Sequence, residues 1–234
     1  MCLIARASPR LGHGKDITLA SRRVTLTFDN GPTPGITGGV LDILARAGIR
    51  STFFVLGKNL GDQQAASLAR AAHAAGHWIG NHTMTHSVAL GDQPDADYAT
   101  REIGETQARI GTLSHPDKLF RPFGNSGQIG PHLLSQAALA YLLAHRFRTI
   151  IWNSIPGDWR DPDGWVDAAV AQVAAQDWSV VVLHDMTNGC LPRLPELLGR
   201  LADLGVAYEQ DFPDAVTLTR GGQLVSLQPE HVAG

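Results

Sequence analysis

The stretch Thr27–Pro32, TFDNGP, ends a run of apolar and β-branched residues in an acid, an amide and a turn. The run, Val24–Phe28, has the composition of a buried β-strand, and the Gly-Pro pair stops it. The stretch therefore predicts a strand whose end places Asp29 and Asn30 at one edge of a sheet, and this placement suggests a chemical role for the pair.

Six further strands are predicted from the same kind of run, with helical periodicity between them. The predicted strands are Thr52–Val55, His77–Ile79, Lys118–Phe120, Thr149–Trp152, Val180–Leu183 and Val206–Tyr208. The predicted helices are Val40–Ala47, Ala65–Ala75, Ala96–Leu113, Pro131–Ala144, Trp165–Ala175 and Leu194–Leu204. Gly48, Gly76 and Gly205 suit the left-handed residue that closes a helix.

Strand alternating with helix predicts a parallel sheet with right-handed crossovers, and seven units favour a distorted (β/α)7 TIM-like barrel. No phosphate-binding glycine fingerprint follows the first strand, which argues against a nucleotide-binding fold. The tail VTLTRGGQLVSL reads as a β-hairpin that covers an end of the barrel. We expect an N-terminal extension (1–20), the barrel (21–215) and a C-terminal hairpin and tail (216–234).

The totals are those of a globular protein, with 234 residues, 44% hydrophobic, 18% charged and a net charge of −3. This charge gives no reason to expect a nucleic-acid partner. No apolar run approaches a membrane span, and the apolar start is too short for a secretory signal. Cys2 and Cys190 are the only cysteines, which excludes a disulfide framework. We expect a cytoplasmic location.

Polar side chains follow five of the predicted strands, where the carboxyl ends of barrel strands build active sites. They are Asp29, Asn30, Asn81, His82, Arg121, Asn153, Asp158, His184 and Asp185. Packing does not readily explain such a convergence at one mouth of the barrel.

His82 and His86 form an H-x-x-x-H pair that, on a helical turn, would place both imidazoles on one face, within reach of one metal ion. A chance pair is the alternative in a chain with ten histidines. His184, in VVVLHDM, suits a general acid, since imidazole exchanges protons near neutrality. The alternative for His184 is a hydrogen-bonded rim residue. Leu183 before it would present an apolar wall.

The segment FRPFG places Arg121 beside a stiffening proline, where its guanidinium could orient a carboxylate. Asp158-Trp159, in GDW, offers a second acid and a ring on which a sugar could stack. A turn with an anchoring tryptophan explains Asp158-Trp159 equally well.

Together these segments resemble the polysaccharide deacetylase family, the NodB-type carbohydrate esterases. TFDNGP, NHTMTH, FRPFG, GDW and VLHD occur in the order of that family's five motifs, from about Arg23 to Asp185. The resemblance implies a distorted (β/α) barrel and metal-assisted hydrolysis of an N-acetyl group.

By position, the resemblance implies that Asp29 is the base and that His82 and His86 hold a divalent metal, Zn²⁺. It makes His184 the acid that protonates the departing amine. Further roles follow for other residues of the motifs: Arg121, braced by Asp158, orients Asp29, and Leu183 and Trp159 line the acetyl pocket and the sugar groove.

Three positions depart from the family pattern. Asn30 replaces the usual second Asp, the third metal ligand, and so predicts a weakly bound metal. The third motif is one residue short, which leaves open whether Phe123 or Gly124 supplies the backbone N–H for the oxyanion. Asn153 stands where the family often has an acid.

The sequence thus predicts a hydrolase of C–N amide bonds, an N-deacetylase of an N-acetylated sugar or oligosaccharide. The first alternative is a metal-independent amidase or imidase acting on a small non-sugar substrate. The second is a catalytically weakened carbohydrate-binding barrel.

Overall fold

The computed structural model describes residues 22–234. The predicted extension 1–20 and Cys2 lie outside the described residues. The strands are Arg23–Asp29 (β1), Thr52–Val55 (β2), Trp78–Asn81 (β3), Leu119–Phe120 (β4), Arg148–Ile150 (β5), Trp178–His184 (β6), Ala207–Glu209 (β7), Thr217–Arg220 (β8) and Gln223–Leu224 (β9). The α-helices are Thr37–Ala47 (α1), Gln63–Ala74 (α2), Ala96–Ala99 (α3), Thr106–Ile110 (α4), Gln136–Ala144 (α5), Trp165–Ala174 (α6) and Leu194–Asp203 (α7).

Strand β1 organises a curled parallel sheet. β6 pairs with β1 along its whole length, from Arg23 opposite Trp178 to Asp29 opposite His184. On the other side, β7 pairs with the first half of β1 and β2 with the second half, and the order continues through β3 and β4 to β5. A bridge from Ser154, just past β5, to Val181 of β6 curls the sheet back on itself. The predicted α/β class and distorted barrel are confirmed.

The core divides into two hydrophobic clusters because successive residues of a strand face opposite sides. β6 sends Val181 and Leu183 to a cluster shared with α1, α6 and α7. It sends Val180 and Val182 to a second cluster, which includes Phe54 and Trp152. Polar residues at alternate positions of β1 therefore face the same side as Val182.

The C-terminal hairpin forms, with Gly221 and Gly222 at φ 61° and 89° in its turn. β8 pairs antiparallel with β5, so the hairpin extends the sheet there instead of covering an end of the barrel. Phe212, ahead of the hairpin, is buried and packs near Phe54 and Trp78. No helix within residues 22–234 has the length and apolarity needed to cross a bilayer.

The predicted helix Ala96–Leu113 is interrupted. A π-helical segment, Thr100–Glu105, separates α3 from α4. Within it, Glu102 is buried and accepts hydrogen bonds from the backbone N–H groups of Met84 and Thr85, each at 2.9 Å. The wider π turn accompanies the inward orientation of the Glu102 carboxylate. Residue periodicity alone cannot predict the contact of this carboxylate with Met84 and Thr85.

Candidate active site

The candidate site is a cavity of about 230 Å³ at the carboxyl ends of the strands. Asp29 and His184 lie side by side there because β1 and β6 are adjacent strands that end in the same register. The cavity is lined by Asp29, Asn30, His82, His86, Pro122, Phe123, Gly124, Asn125, Ser126, Gly127, Trp152, Ile155, Trp159, Val182, His184 and Met186. Most of the predicted site residues therefore do converge at one mouth.

The Asp29 carboxylate is buried and paired with Arg121. Nη1 of Arg121 lies 2.9 Å from Oδ1 of Asp29 and also donates to Oγ1 of Thr27 at 2.7 Å. The guanidinium packs 4.1 Å from the ring centroid of Phe54. Burial lowers the pKa of Arg121, while the Asp29 carboxylate opposes that shift. Arg121, which does not line the cavity, thus binds Oδ1 of Asp29, as predicted. Oδ2 of Asp29 is left available to the cavity.

The two histidines meet beside Asp29, with ring centroids 4.9 Å apart. Nδ1 of His82 is 2.9 Å from the Arg121 carbonyl oxygen, so Nδ1 carries the proton and Nε2 keeps its lone pair. Nε2 of His82 is 3.6 Å from Oδ2 of Asp29. Burial lowers the pKa of His82, and burial together with His82 lowers the pKa of His86 to about 3. Both rings are therefore neutral near pH 7 and able to donate a lone pair.

The prediction that His82 and His86 share a helical turn is wrong. Their segment is a loop, with Thr83 at φ 70° and His86 at φ 55°. The Glu102 carboxylate holds this loop through the N–H groups of Met84 and Thr85 and, at 2.8 Å, the Thr85 hydroxyl. Tertiary contacts of this loop bring the two imidazole rings together. A four-residue spacing on a helix is therefore not what places them.

Asn30 lies at the end of β1 in a left-handed conformation, at φ 75°. Its Nδ2 donates to the sulfur of Met186 at 3.6 Å, and its Oδ1 is buried without a hydrogen-bond partner. Asn30, His82 and His86 line the same cavity, and an unpartnered buried oxygen with two neutral imidazoles suits a divalent cation as a weak third ligand. Within residues 22–234, no group of three or more His, Cys, Asp or Glu side chains is arranged to hold a metal. The donor set therefore fits a metal but lacks a carboxylate at position 30.

His184 is paired with Asp158. Its backbone N–H donates to Oδ2 of Asp158 and its Nδ1–H donates to Oδ1, each at 2.8 Å. Burial favours the neutral ring, but the Asp158 hydrogen bond and the charges of Asp158, Asp29 and Asp185 together outweigh burial, so the pKa of His184 is raised. Nε2 is then the ring nitrogen free to exchange a proton with a substrate. The predicted brace from Asp158 to Arg121 is wrong, because both Asp158 oxygens are directed to His184.

Leu183 does not line the cavity. It is fully buried in the cluster on the helix side of the sheet, because neighbours on a strand face opposite sides. Val182, two residues before His184, takes the predicted apolar position. The prediction that Asn153 lies at the mouth of the barrel is also wrong, because Asn153 is not among the residues that line the cavity. Its side chain donates to the Trp178 carbonyl and accepts from the Val180 N–H of β6.

Trp159, which was predicted to line the sugar groove, lines the cavity together with Phe123. Trp159 lies edge-on to His184 with centroids 4.6 Å apart, and Phe123 packs 3.9 Å from His86. A Cβ on Gly124 would lie 2.1 Å from the Trp152 ring, so only glycine fits there. Phe123 and Gly124 both line the cavity, and the choice between their N–H groups for an oxyanion stays a prediction.

Two supporting residues, Glu102 and Met186, were missed from the sequence, and Asp185 was placed at a strand end but given no role. Glu102 orders the histidine loop. Asp185 accepts from the Gly31 N–H at 3.1 Å and from the Thr37 hydroxyl at 2.6 Å, and burial raises its pKa to about 7. Met186 contacts Asn30. Asp185 and Met186 directly follow His184, and that adjacency was the available signal; nothing local marked Glu102.

Comparison with known proteins gives consistent matches. The family described as polysaccharide deacetylase matches residues 16–139. A chitooligosaccharide deacetylase of Rhizobium leguminosarum bv. trifolii is 38% identical over 173 residues, which cover 73% of this chain and 74% of that protein. A family 4 carbohydrate esterase from Streptomyces lividans, solved in complex with acetate, is 29% identical with a TM-score of 0.68 over 84% of this chain and 96% of that chain. A family 4 acetyl xylan esterase from Clostridium thermocellum, solved with a cobalt ion, is 25% identical with a TM-score of 0.63 over 81% of this chain and 88% of that chain.

Proposed function

Because this chain belongs to the polysaccharide deacetylase family, we propose that it hydrolyses the N-acetyl group of an N-acetylated amino sugar within an oligosaccharide. The observation that carries the proposal is the adjacent placement of Asp29 and His184 at the ends of two paired strands, each hydrogen-bonded to its own buried partner. The similarity to a chitooligosaccharide deacetylase supports β-linked N-acetylglucosamine as the sugar.

Asp29 acts as the general base. A water molecule attacks the acetyl carbonyl carbon, and Oδ2 of Asp29 takes its proton while Oδ1 stays bonded to Arg121. The Arg121 guanidinium is buried and also bonded to Thr27, so the carboxylate cannot rotate freely. A fixed base keeps the reacting atoms aligned, which lowers the entropic part of the barrier.

His184 acts as the general acid. Cleavage of the C–N bond would expel an unstable amide anion, so the nitrogen must receive a proton as the bond breaks. Asp158 keeps Nδ1 protonated and favours the charged ring, which leaves the Nε2 proton for the departing amine. The products are acetate and the free amino sugar, and the proton taken by Asp29 balances the one that His184 gives.

The residues that would hold a divalent cation are His82, His86 and Asn30 through Oδ1. The cobalt ion in the Clostridium thermocellum esterase supports this assignment, and Zn²⁺ suits two imidazoles and an oxygen. When bound, such a cation polarises the acetyl carbonyl and makes the attacking water more acidic. The neutral Asn30 would retain it less firmly than an aspartate.

A metal-independent amide hydrolase is the second candidate. It is favoured by the same neutral amide at position 30, since two imidazoles and an amide oxygen bring no negative charge to a cation. Asp29 and His184 would then perform the proton transfers without assistance.

The test is acetate release from N-acetylchitooligosaccharides of increasing length, using protein stripped with a chelator and then given back Zn²⁺ or Co²⁺. The proposed function requires release that depends on added metal and is lost in Asp29→Asn. Full activity in chelator would favour the second candidate. A folded protein that binds the sugars but releases no acetate under any condition would identify a binding protein.

A further inference from the structure

The backbone around Asn30 is held on both sides. The Asn30 carbonyl accepts from Nδ2 of Asn59 at 2.8 Å, and the following Gly31 N–H donates to Asp185 at 3.1 Å. The Gly31 carbonyl accepts from the Leu56 N–H at 3.0 Å. With the main chain fixed, the position of Oδ1 depends only on the side-chain torsions of Asn30.

The amide of Asn30 has two chemically different ends, and Met186 contacts one of them. Nδ2 lies 3.6 Å from the Met186 sulfur, while Oδ1 is buried and has no partner. A thioether sulfur accepts hydrogen bonds and cannot donate them, so it favours the NH₂ end of the amide. The reversed amide would bring Oδ1 against the sulfur lone pairs and lose this contact.

Met186 is itself well placed for this role. It lies two residues after His184, and its carbonyl accepts from the Gly189 N–H at 2.9 Å, which closes a tight turn. A Cβ on Gly189 would lie 2.0 Å from the His184 carbonyl oxygen, so the turn requires a glycine at that position. Asn30 and Met186 both line the cavity with His82 and His86.

We propose that Met186 is a positioning residue of the metal site: its sulfur holds the NH₂ end of the Asn30 amide and thereby presents Oδ1 as the ligand. This inference rests on the proposed function. Met186 and Asn30 act as a pair, since an aspartate at position 30 has two equivalent oxygens and nothing for a sulfur to orient.

The experiment is a double-mutant comparison of Zn²⁺ affinity, measured by calorimetry on the chelator-stripped full chain. Met186→Leu keeps the volume of the side chain and removes the acceptor. We expect it to weaken Zn²⁺ binding about 10-fold, as loss of a residue behind a metal ligand commonly does. In an Asn30→Asp background the same change should cost less than about twofold.

Unchanged Zn²⁺ affinity in Met186→Leu, or an equal loss in both backgrounds, would overturn the inference, the latter by indicating a general packing effect. The variant His86→Ala distinguishes failure of the proposed function from failure of this inference. If wild type and His86→Ala bind Zn²⁺ equally well, the metal site itself is contradicted. In that case the side-chain amide resonances of Asn30 decide the orientation in metal-free protein. A shift of these resonances in Met186→Leu supports orientation of the Asn30 amide by the Met186 sulfur, and unchanged resonances reject that orientation.

Discussion

Asp29 and His184 end adjacent parallel strands at the same register position, so they lie side by side and line the same cavity. Each depends on a buried partner of opposite character: Arg121 for the carboxylate and Asp158 for the imidazole. The two pairs thus hold a base and an acid at neighbouring strand ends. This arrangement suits hydrolysis of an amide, which requires proton removal and proton delivery in one turnover.

Asp29→Asn should abolish deacetylation while the protein stays folded. The variant keeps the shape of the side chain and its contact with Arg121 but cannot accept a proton. We expect a fall in kcat of ~10²–10⁴-fold, the usual cost of losing a general base. Acetate release and thermal unfolding measured on the same preparation check this. Turnover near that of wild type would remove Asp29 from the mechanism.

His184→Ala should slow amide substrates far more than activated acetyl esters. An amine leaving group needs a proton from His184, whereas a nitrophenolate leaves without one. The comparison of N-acetylchitooligosaccharide with p-nitrophenyl acetate measures this ratio. Equal losses on both substrates would point to a binding or structural role for His184.

Asp158→Asn should move the alkaline limb of the pH–rate profile to lower pH. Burial lowers the pKa of His184, but the hydrogen bond and charge of Asp158, with the charges of Asp29 and Asp185, raise it by more, so the acid form persists at higher pH than for an ordinary histidine. Without the Asp158 charge, two of the causes that raise the pKa of His184 are weakened, so its pKa falls and the acid form is lost earlier as pH rises. Asp163→Asn, an exposed acid on the same loop, is the matched control and should leave the profile unchanged. An unmoved limb in Asp158→Asn would contradict His184 as the acid.

Asn30→Asp should tighten metal binding and raise activity at low metal concentration. Aspartate keeps the length of the side chain and adds a negative charge beside two neutral histidines. We expect at least a ~10-fold gain in affinity, by analogy with the cost of changing groups around a bound metal. Parallel Zn²⁺ titrations of wild type and variant provide the measurement. Equal affinities would show that residue 30 does not contact the ion.

Glu102→Gln should loosen the loop that carries His82 and His86. The carboxylate accepts three hydrogen bonds from Met84 and Thr85, whereas an amide has one acceptor oxygen, so its nitrogen would face either the two N–H donors or a Thr85 hydroxyl that must turn away. Leaving buried donors unpaired costs about 1–3 kcal/mol, so the free energy of unfolding and the metal affinity should both fall. Urea unfolding and Zn²⁺ titration test this, with the exposed Glu105→Gln on the same π segment as control. A Glu102→Gln protein as stable as the control would contradict the assignment.

The sequence by itself determined the alternation of strands and helices and the polar residues at the strand ends. These are local properties: apolar period, a glycine such as Gly48 at φ 66° after a helix, and a turn after TFDNGP. The sequence also determined the orientation of Leu183. Because successive residues of a strand face opposite sides of the sheet, Leu183 must face away from the side that His184 faces.

Only the tertiary structure decided which groups touch. Asp158 is 26 residues from His184 and 37 from Arg121 along the chain, and nothing local indicates which of them it bonds. Glu102 reaches the histidine loop, β8 joins β5 and Met186 contacts Asn30 because packing brings distant segments together. Strand identity follows from periodicity within a few residues, whereas hydrogen-bond partners between loops depend on how the whole sheet curls.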